Sequence, residues 1–109
     1  MLKALVRLLA SEGLHAEKFS EPAPFIAHAR RHPVRLAVID VRLPGMTGLE
    51  VLAELRAISP DAQVIIMTGE NDAAHRNAAI AGGASAFFLK PFDDEAFLGA
   101  VRAALGRAG

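Results

Sequence analysis

Three polar residues, Asp40, Thr68 and Lys90, each follow directly on a nearly apolar run. The runs are Val34–Ile39, Val64–Met67 and Ala84–Leu89. None alternates as a half-solvated strand does, so each reads as a strand buried on both faces. A carboxylate, a hydroxyl and an ammonium held together suit one task. The carboxylate is a nucleophile toward a phosphoryl group. The hydroxyl can hydrogen-bond the transferred oxygens, and the ammonium can neutralise their charge. Singly, each residue has a plainer reading. Aspartate ending a strand is often a loop or cap residue, threonine before Gly69 is turn chemistry, and lysine before Pro91 is a solvated loop charge. Their joint placement is what points to chemistry, because open parallel sheets hold ligands at the carboxyl ends of their strands.

The elements that position these residues follow from periodicity. Leu2, Leu5, Val6 and Leu9 share one helical face, with Gly13 as the stop. His15–Phe19 reads as a short strand. Ser20 offers a cap, and Pro22 and Pro24 confine the next helix start to a first turn. Phe25, Ile26 and Ala29 give that helix its apolar side, and it stops before Pro33. After Asp40, Pro44, Gly45 and Gly48 mark a loop, and Thr47-Gly48-Leu49-Glu50 is a capping box. That helix buries Leu49, Leu52, Ala53 and Leu55 and ends at Ser59-Pro60. Gly69–Asp72 forms a loop and cap before an alanine-rich helix that stops at Gly82-Gly83. Asp93 caps a last helix, with Phe97, Leu98, Val101 and Leu105 inward and Gly106 closing it. The order α-β-α-β-α-β-α-β-α predicts an α/β domain over residues 1–109, with four parallel strands and five helices on both faces.

Composition narrows the classes. A chain of 109 residues makes one domain. Twelve basic residues cancel twelve acidic ones, which argues against nucleic acid as a direct partner. An apolar share of 52% argues against disorder. No apolar run reaches the ~18–20 residues of a membrane span, and no signal peptide is evident. The absence of cysteine excludes disulfides and thiolate metal sites. Location in the cytoplasm is the plain expectation. His28 and His32, at i and i+4 beside Arg30, Arg31 and Pro33, read as a solvated helix end rather than a zinc site.

Asp40-Val41-Arg42-Leu43-Pro44-Gly45-Met46-Thr47-Gly48 resembles the phospho-acceptor segment of the response-regulator receiver domains of two-component signalling. Thr68-Gly69-Glu70 resembles that family's switch-threonine segment, and Gly83-Ala84 through Lys90-Pro91-Phe92 its lysine-bearing strand and loop. The spacings, 28 residues from Asp40 to Thr68 and 22 more to Lys90, suit the family, and the resemblance covers essentially the whole chain. It implies a flavodoxin-like, doubly wound parallel sheet. It implies that Asp40 accepts a phosphoryl group from a sensor histidine kinase and that Thr68 moves toward the acyl phosphate. It implies that Lys90 binds a phosphoryl oxygen, with a cis bond to Pro91. It also implies a magnesium ion (Mg2+) on Asp40 and the backbone carbonyl of Arg42. Phe87, three residues before Lys90, matches the family's aromatic switch position, and fits an ordinary core phenylalanine equally well. The last strand and the helices over roughly 72–81 and 93–105 would form the output face, toward a partner or an output domain beyond Gly109.

The chain departs from the family at its start. The family begins with a strand ending in adjacent acidic residues, whereas Met1 already lies in the first helical pattern. By typical strand, loop and first-turn lengths, roughly 11–16 residues are missing. Asp40 and one carbonyl make a poor site for a hard cation that wants octahedral oxygen. The expectation is therefore slow or absent phosphorylation of this chain. Loss of a central strand also predicts association between copies, as a homo-oligomer. The alternative is a pseudo-receiver that works as an interaction or dimerisation module without phosphate. An aspartate-nucleophile phosphatase of the Asp-x-Asp kind is disfavoured because Arg42 stands at the second acidic position.

Overall fold

The computed structural model describes residues 2–43, 45–69 and 73–108. Met1, Pro44, the Glu70–Asp72 part of the expected loop and cap, and Gly109 lie outside them. The elements in order are α1 (Leu2–Ala10), α2 (Pro22–Arg31), β1 (Leu36–Asp40), α3 (Gly48–Ile58), β2 (Gln63–Thr68), α4 (Ala73–Ala81), β3 (Ala86–Leu89) and α5 (Asp94–Ala108). The strands form a parallel sheet in the order β1-β2-β3.

β2 carries the architecture. Its five residues Val64–Thr68 are all buried, as the unbroken apolar run requires of a strand covered on both faces. Alternate side chains go to opposite layers. Val64 and Ile66 join Ala37, Ile39, Val51, Leu52, Leu55 and Ala79, so α3 and α4 cover one face. Ile65 and Met67 join Leu5, Phe97, Leu98 and Val101, so α1 and α5 cover the other. Helices on both faces of a parallel sheet make the doubly wound α/β fold that the element order predicts.

Local signals hold at several boundaries. Thr47 caps α3: its hydroxyl accepts from the Glu50 N–H at 3.1 Å, and the Glu50 carboxylate accepts from the Thr47 N–H at 2.9 Å. Asp93 caps α5 by accepting from the Ala96 N–H at 2.9 Å. Pro22 opens α2.

Other expectations need correction. His15–Phe19 is not a strand, so the described residues contain three strands rather than four. The segment pairs with none of the described strands. A cavity of about 720 Å³ lies between it and β1, lined by residues of both. Ser20 is not the cap of α2. Glu21, in extended conformation, holds that position without a side-chain hydrogen bond. Gly106 does not close α5, which continues to Ala108.

Candidate functional site

Register brings the three strand-end residues to one edge. Asp40 pairs with Met67, and the Val41 N–H donates to the Met67 carbonyl at 2.9 Å. Thr68, the next residue, pairs with Leu89. The Lys90 N–H then donates to the Thr68 carbonyl at 2.7 Å. Two parallel ladders thus end within one residue of each other.

Asp40 and Lys90 meet directly. Lys90 Nζ lies 2.5 Å from Asp40 Oδ2 in a charge-assisted hydrogen bond. Asp40 Oδ1 accepts from the Arg42 N–H at 3.0 Å. Both carboxylate oxygens are therefore engaged. The two side chains keep 21% and 22% of their exposure, so the pair is reachable from solvent. The peptide bond from Lys90 to Pro91 is cis.

Thr68 sits at the adjoining strand end with its side chain fully buried. The cavity beside β1 includes Asp40 and Arg42 in its lining but neither Thr68 nor Lys90. Phe87 pairs with Ile66 and packs, partly buried, against the α3–α4 layer. Phe88 points to the opposite layer, where it contacts Phe92 and Phe97 at ring separations of 5.5 and 5.8 Å.

The donor set around Asp40 does not fit a magnesium ion. One carboxylate, already bridged by an ammonium, and one carbonyl fall well short of a near-octahedral oxygen shell. Among the described residues no group of three or more His, Asp or Glu could hold a metal. His28 and His32 lie with ring centroids 4.7 Å apart, and Glu17 sits 3.8 Å from His28 at the exposed end of α2.

Gly48 is the site residue that sequence reasoning treated as a loop marker. It opens α3 immediately beside the end of β1, and its N–H donates to the Val41 carbonyl at 2.8 Å. A Cβ at that position would lie 2.2 Å from the Asp40 carbonyl oxygen. Only a residue without a side chain lets α3 approach this closely. The available signal was a glycine at the first position of a capped helix, a place where helix propensity disfavours it.

Comparison with known proteins gives the same family from sequence and structure. The family model for the response regulator receiver domain matches residues 1–102. The response regulator protein TodT of Pseudomonas putida (strain F1) is 39% identical over 105 residues, covering 96% of this chain and 46% of TodT. The transcriptional regulatory protein FixJ of Azorhizobium caulinodans is 42% identical over 106 residues, covering 97% of this chain and 50% of FixJ. The chain thus spans about half the length of these curated relatives. The solution structure of the beryllofluoride-activated NtrC4 receiver domain dimer superposes with a TM-score of 0.92 at 27% identity. That match covers 98% of this chain and 88% of the other.

Proposed function

The chain belongs to the response regulator receiver domain family, and from that membership we propose that residues 1–109 act as one receiver domain taking a phosphoryl group on Asp40 from a sensor histidine kinase. One observation carries the reading: Asp40 ends β1 with its carboxylate held 2.5 Å from the Lys90 ammonium. In the transfer, a carboxylate oxygen attacks phosphorus as the P–N bond to the kinase imidazole breaks and the imidazole leaves with the electron pair. Lys90 then neutralises phosphoryl oxygens in place of the carboxylate. Thr68, buried here, supplies its hydroxyl by moving toward the acyl phosphate, and Phe87 follows by turning further inward. The domain is a signalling phospho-acceptor rather than an enzyme. It works in the cytoplasm, and among the described residues no helix is long and apolar enough to cross a membrane.

The output surface lies along β3, α4 and α5, and acts on a partner or an attached output domain. Ile80 and Leu89 are exposed on α4 and β3, which supports contact with a partner along that flank, while self-association of the chain is proposed through the edge of β1 that is unpaired among the described residues. A second feature of the proposal is that this chain phosphorylates slowly, because the oxygen donors around Asp40 fall short of what a magnesium ion needs. The test is incubation with a small phosphodonor and magnesium, followed by intact-mass measurement. We expect a slowly accumulating adduct of about 80 Da, one phosphoryl group, that disappears in Asp40→Asn. An adduct that persists in that variant overturns the acceptor assignment, and one complete within the first minutes overturns the impairment. No adduct on any timescale supports the alternative, an interaction module that works without phosphate.

A further inference from the structure

Lys90 reaches Asp40 from the loop over residues 90–93, between β3 and α5. The two residues follow on strands separated by β2, so their side chains bridge two strand spacings, about 9–10 Å of sheet. That reach limits where the Lys90 main chain can stand. One side of it is fixed by the ladder, through the Lys90 N–H on the Thr68 carbonyl at 2.7 Å. Hydrogen bonds do not fix the other side. Pro91 has no N–H to give, and among the described residues neither Pro91 nor Phe92 makes a backbone hydrogen bond. The next polar anchor is Asp93, which caps α5. Between them the loop is gripped by the ring of Phe92. It stacks on Phe97 of α5, with centroids 5.1 Å apart and planes at 24°, and lies 5.5 Å from Phe88 of β3. Phe88 and Phe97 are 5.8 Å apart, so the three rings close a triangle. All three separations suit favourable aromatic pairs. Phe97, fully buried, is the fixed corner.

We propose that Phe92 is a positioning residue for Lys90: its ring, wedged between Phe88 and Phe97, holds the loop where the Lys90 ammonium stands against the Asp40 carboxylate. Lysine carries a point charge on a flexible four-carbon stem, with no rigid shape to direct it. Its aim must come from the main chain, and the side chain two residues on pins that main chain to the α1–α5 layer. Phe87 packs in the opposite layer and takes no part. Loss of the Phe92 ring leaves the ladder bond at Thr68 and the Asp93 cap in place. The sheet and α5 therefore persist, while the stretch between them is released. The consequence for phosphoryl transfer rests on the acceptor role of Asp40 proposed above. The geometry of the ion pair does not, and it has a readout of its own.

The chain has three lysines, Lys3, Lys18 and Lys90, and the first two are exposed and serve as internal standards. The full chain is treated briefly with an amine-acylating reagent, and labelling is read lysine by lysine by peptide mass spectrometry. In Phe92→Ala, labelling of Lys90 relative to Lys3 and Lys18 should rise about tenfold, the factor for a lost charge-assisted hydrogen bond, and match the rise in Asp40→Asn. If Phe92→Ala lacks a cooperative urea transition, Phe92→Val takes its place with the same expectation. An unchanged ratio beside a lowered urea midpoint shows packing alone and overturns the proposal. A second arm follows the adduct on Asp40 with the small phosphodonor and magnesium. Phe92→Ala should slow its formation, and should add nothing further in the Lys90→Met background. Equal slowing in both backgrounds overturns the proposal. If the parent chain forms no adduct, the acceptor reading fails, and the labelling ratio alone decides the role of Phe92.

Discussion

Gly48 and Lys90 act on Asp40 from opposite sides, one by lacking a side chain and the other by the charge at the tip of a long one. Replacing Gly48 with alanine sets a methyl group 2.2 Å from the Asp40 carbonyl oxygen. Backbone cannot yield as a flexible side chain can, so α3 or the end of β1 must shift. The expected cost is about 1–3 kcal/mol, the range for forcing extra atoms into a packed site, read as a lowered midpoint in urea unfolding. Gly69, where an added Cβ meets nothing within 4 Å, serves as the control, and Gly69→Ala should cost distinctly less. For Lys90, the expectation concerns reaction rather than folding. Lys90→Met removes the charge that would neutralise phosphoryl oxygens. The slow adduct on Asp40 should then form at least about tenfold more slowly, corresponding to about 1.4 kcal/mol of lost transition-state stabilisation. A rate equal to that of the parent chain would remove Lys90 from the proposed chemistry.

The segment from Val41 to Gly48 is held at its far end by the capping box of α3. Thr47→Ala deletes the hydroxyl that accepts from the Glu50 N–H. A loss of about 1 kcal/mol is expected, as for other threonine caps, with faster amide exchange at Glu50 as the local sign. Caps of this kind were legible because their chemistry is local: Thr47 with Glu50, and Asp93 with Ala96. The three strands were legible for a related reason, since their apolar runs need no partner to be recognised, but only β2 is buried as those runs predict: β1 alternates buried and half-buried positions, and β3, at the edge of the sheet, is half-buried with Leu89 exposed. Asp40, Thr68 and Lys90 could be placed at one edge because each ends such a run. The direct ion pair between Asp40 and Lys90 depends on side-chain reach across two ladders, and no spacing encodes that. His15–Phe19 misled because five residues bounded by a helix stop and a cap show only that a strand is permitted, whereas pairing depends on neighbours that folding must supply. The close approach at Gly48 was not legible because the constraint on it comes from Asp40, eight positions away in sequence and in contact only after folding.

Taken as a single body, the domain rests on two apolar layers joined by β2, with one side of the sheet unfilled. Such a structure has little stability in reserve, since whole domains hold only about 5–15 kcal/mol. Phe97 is fully buried and stacked on Phe92, with ring centroids 5.1 Å apart. Phe97→Ala should cost about 3–5 kcal/mol, enough to abolish a cooperative thermal transition near room temperature. A sharp transition retained close to that of the parent would mean that the α1–α5 layer contributes less than its burial suggests.

The Lys90 backbone has a consequence of its own. The main chain of this residue grips the carbonyl of Thr68, while its side chain grips the carboxylate of Asp40. A single amino acid therefore straddles three neighbouring strand ends. A group that takes the ammonium away from Asp40 thus draws on the same residue whose main chain extends the β2–β3 ladder by one bond.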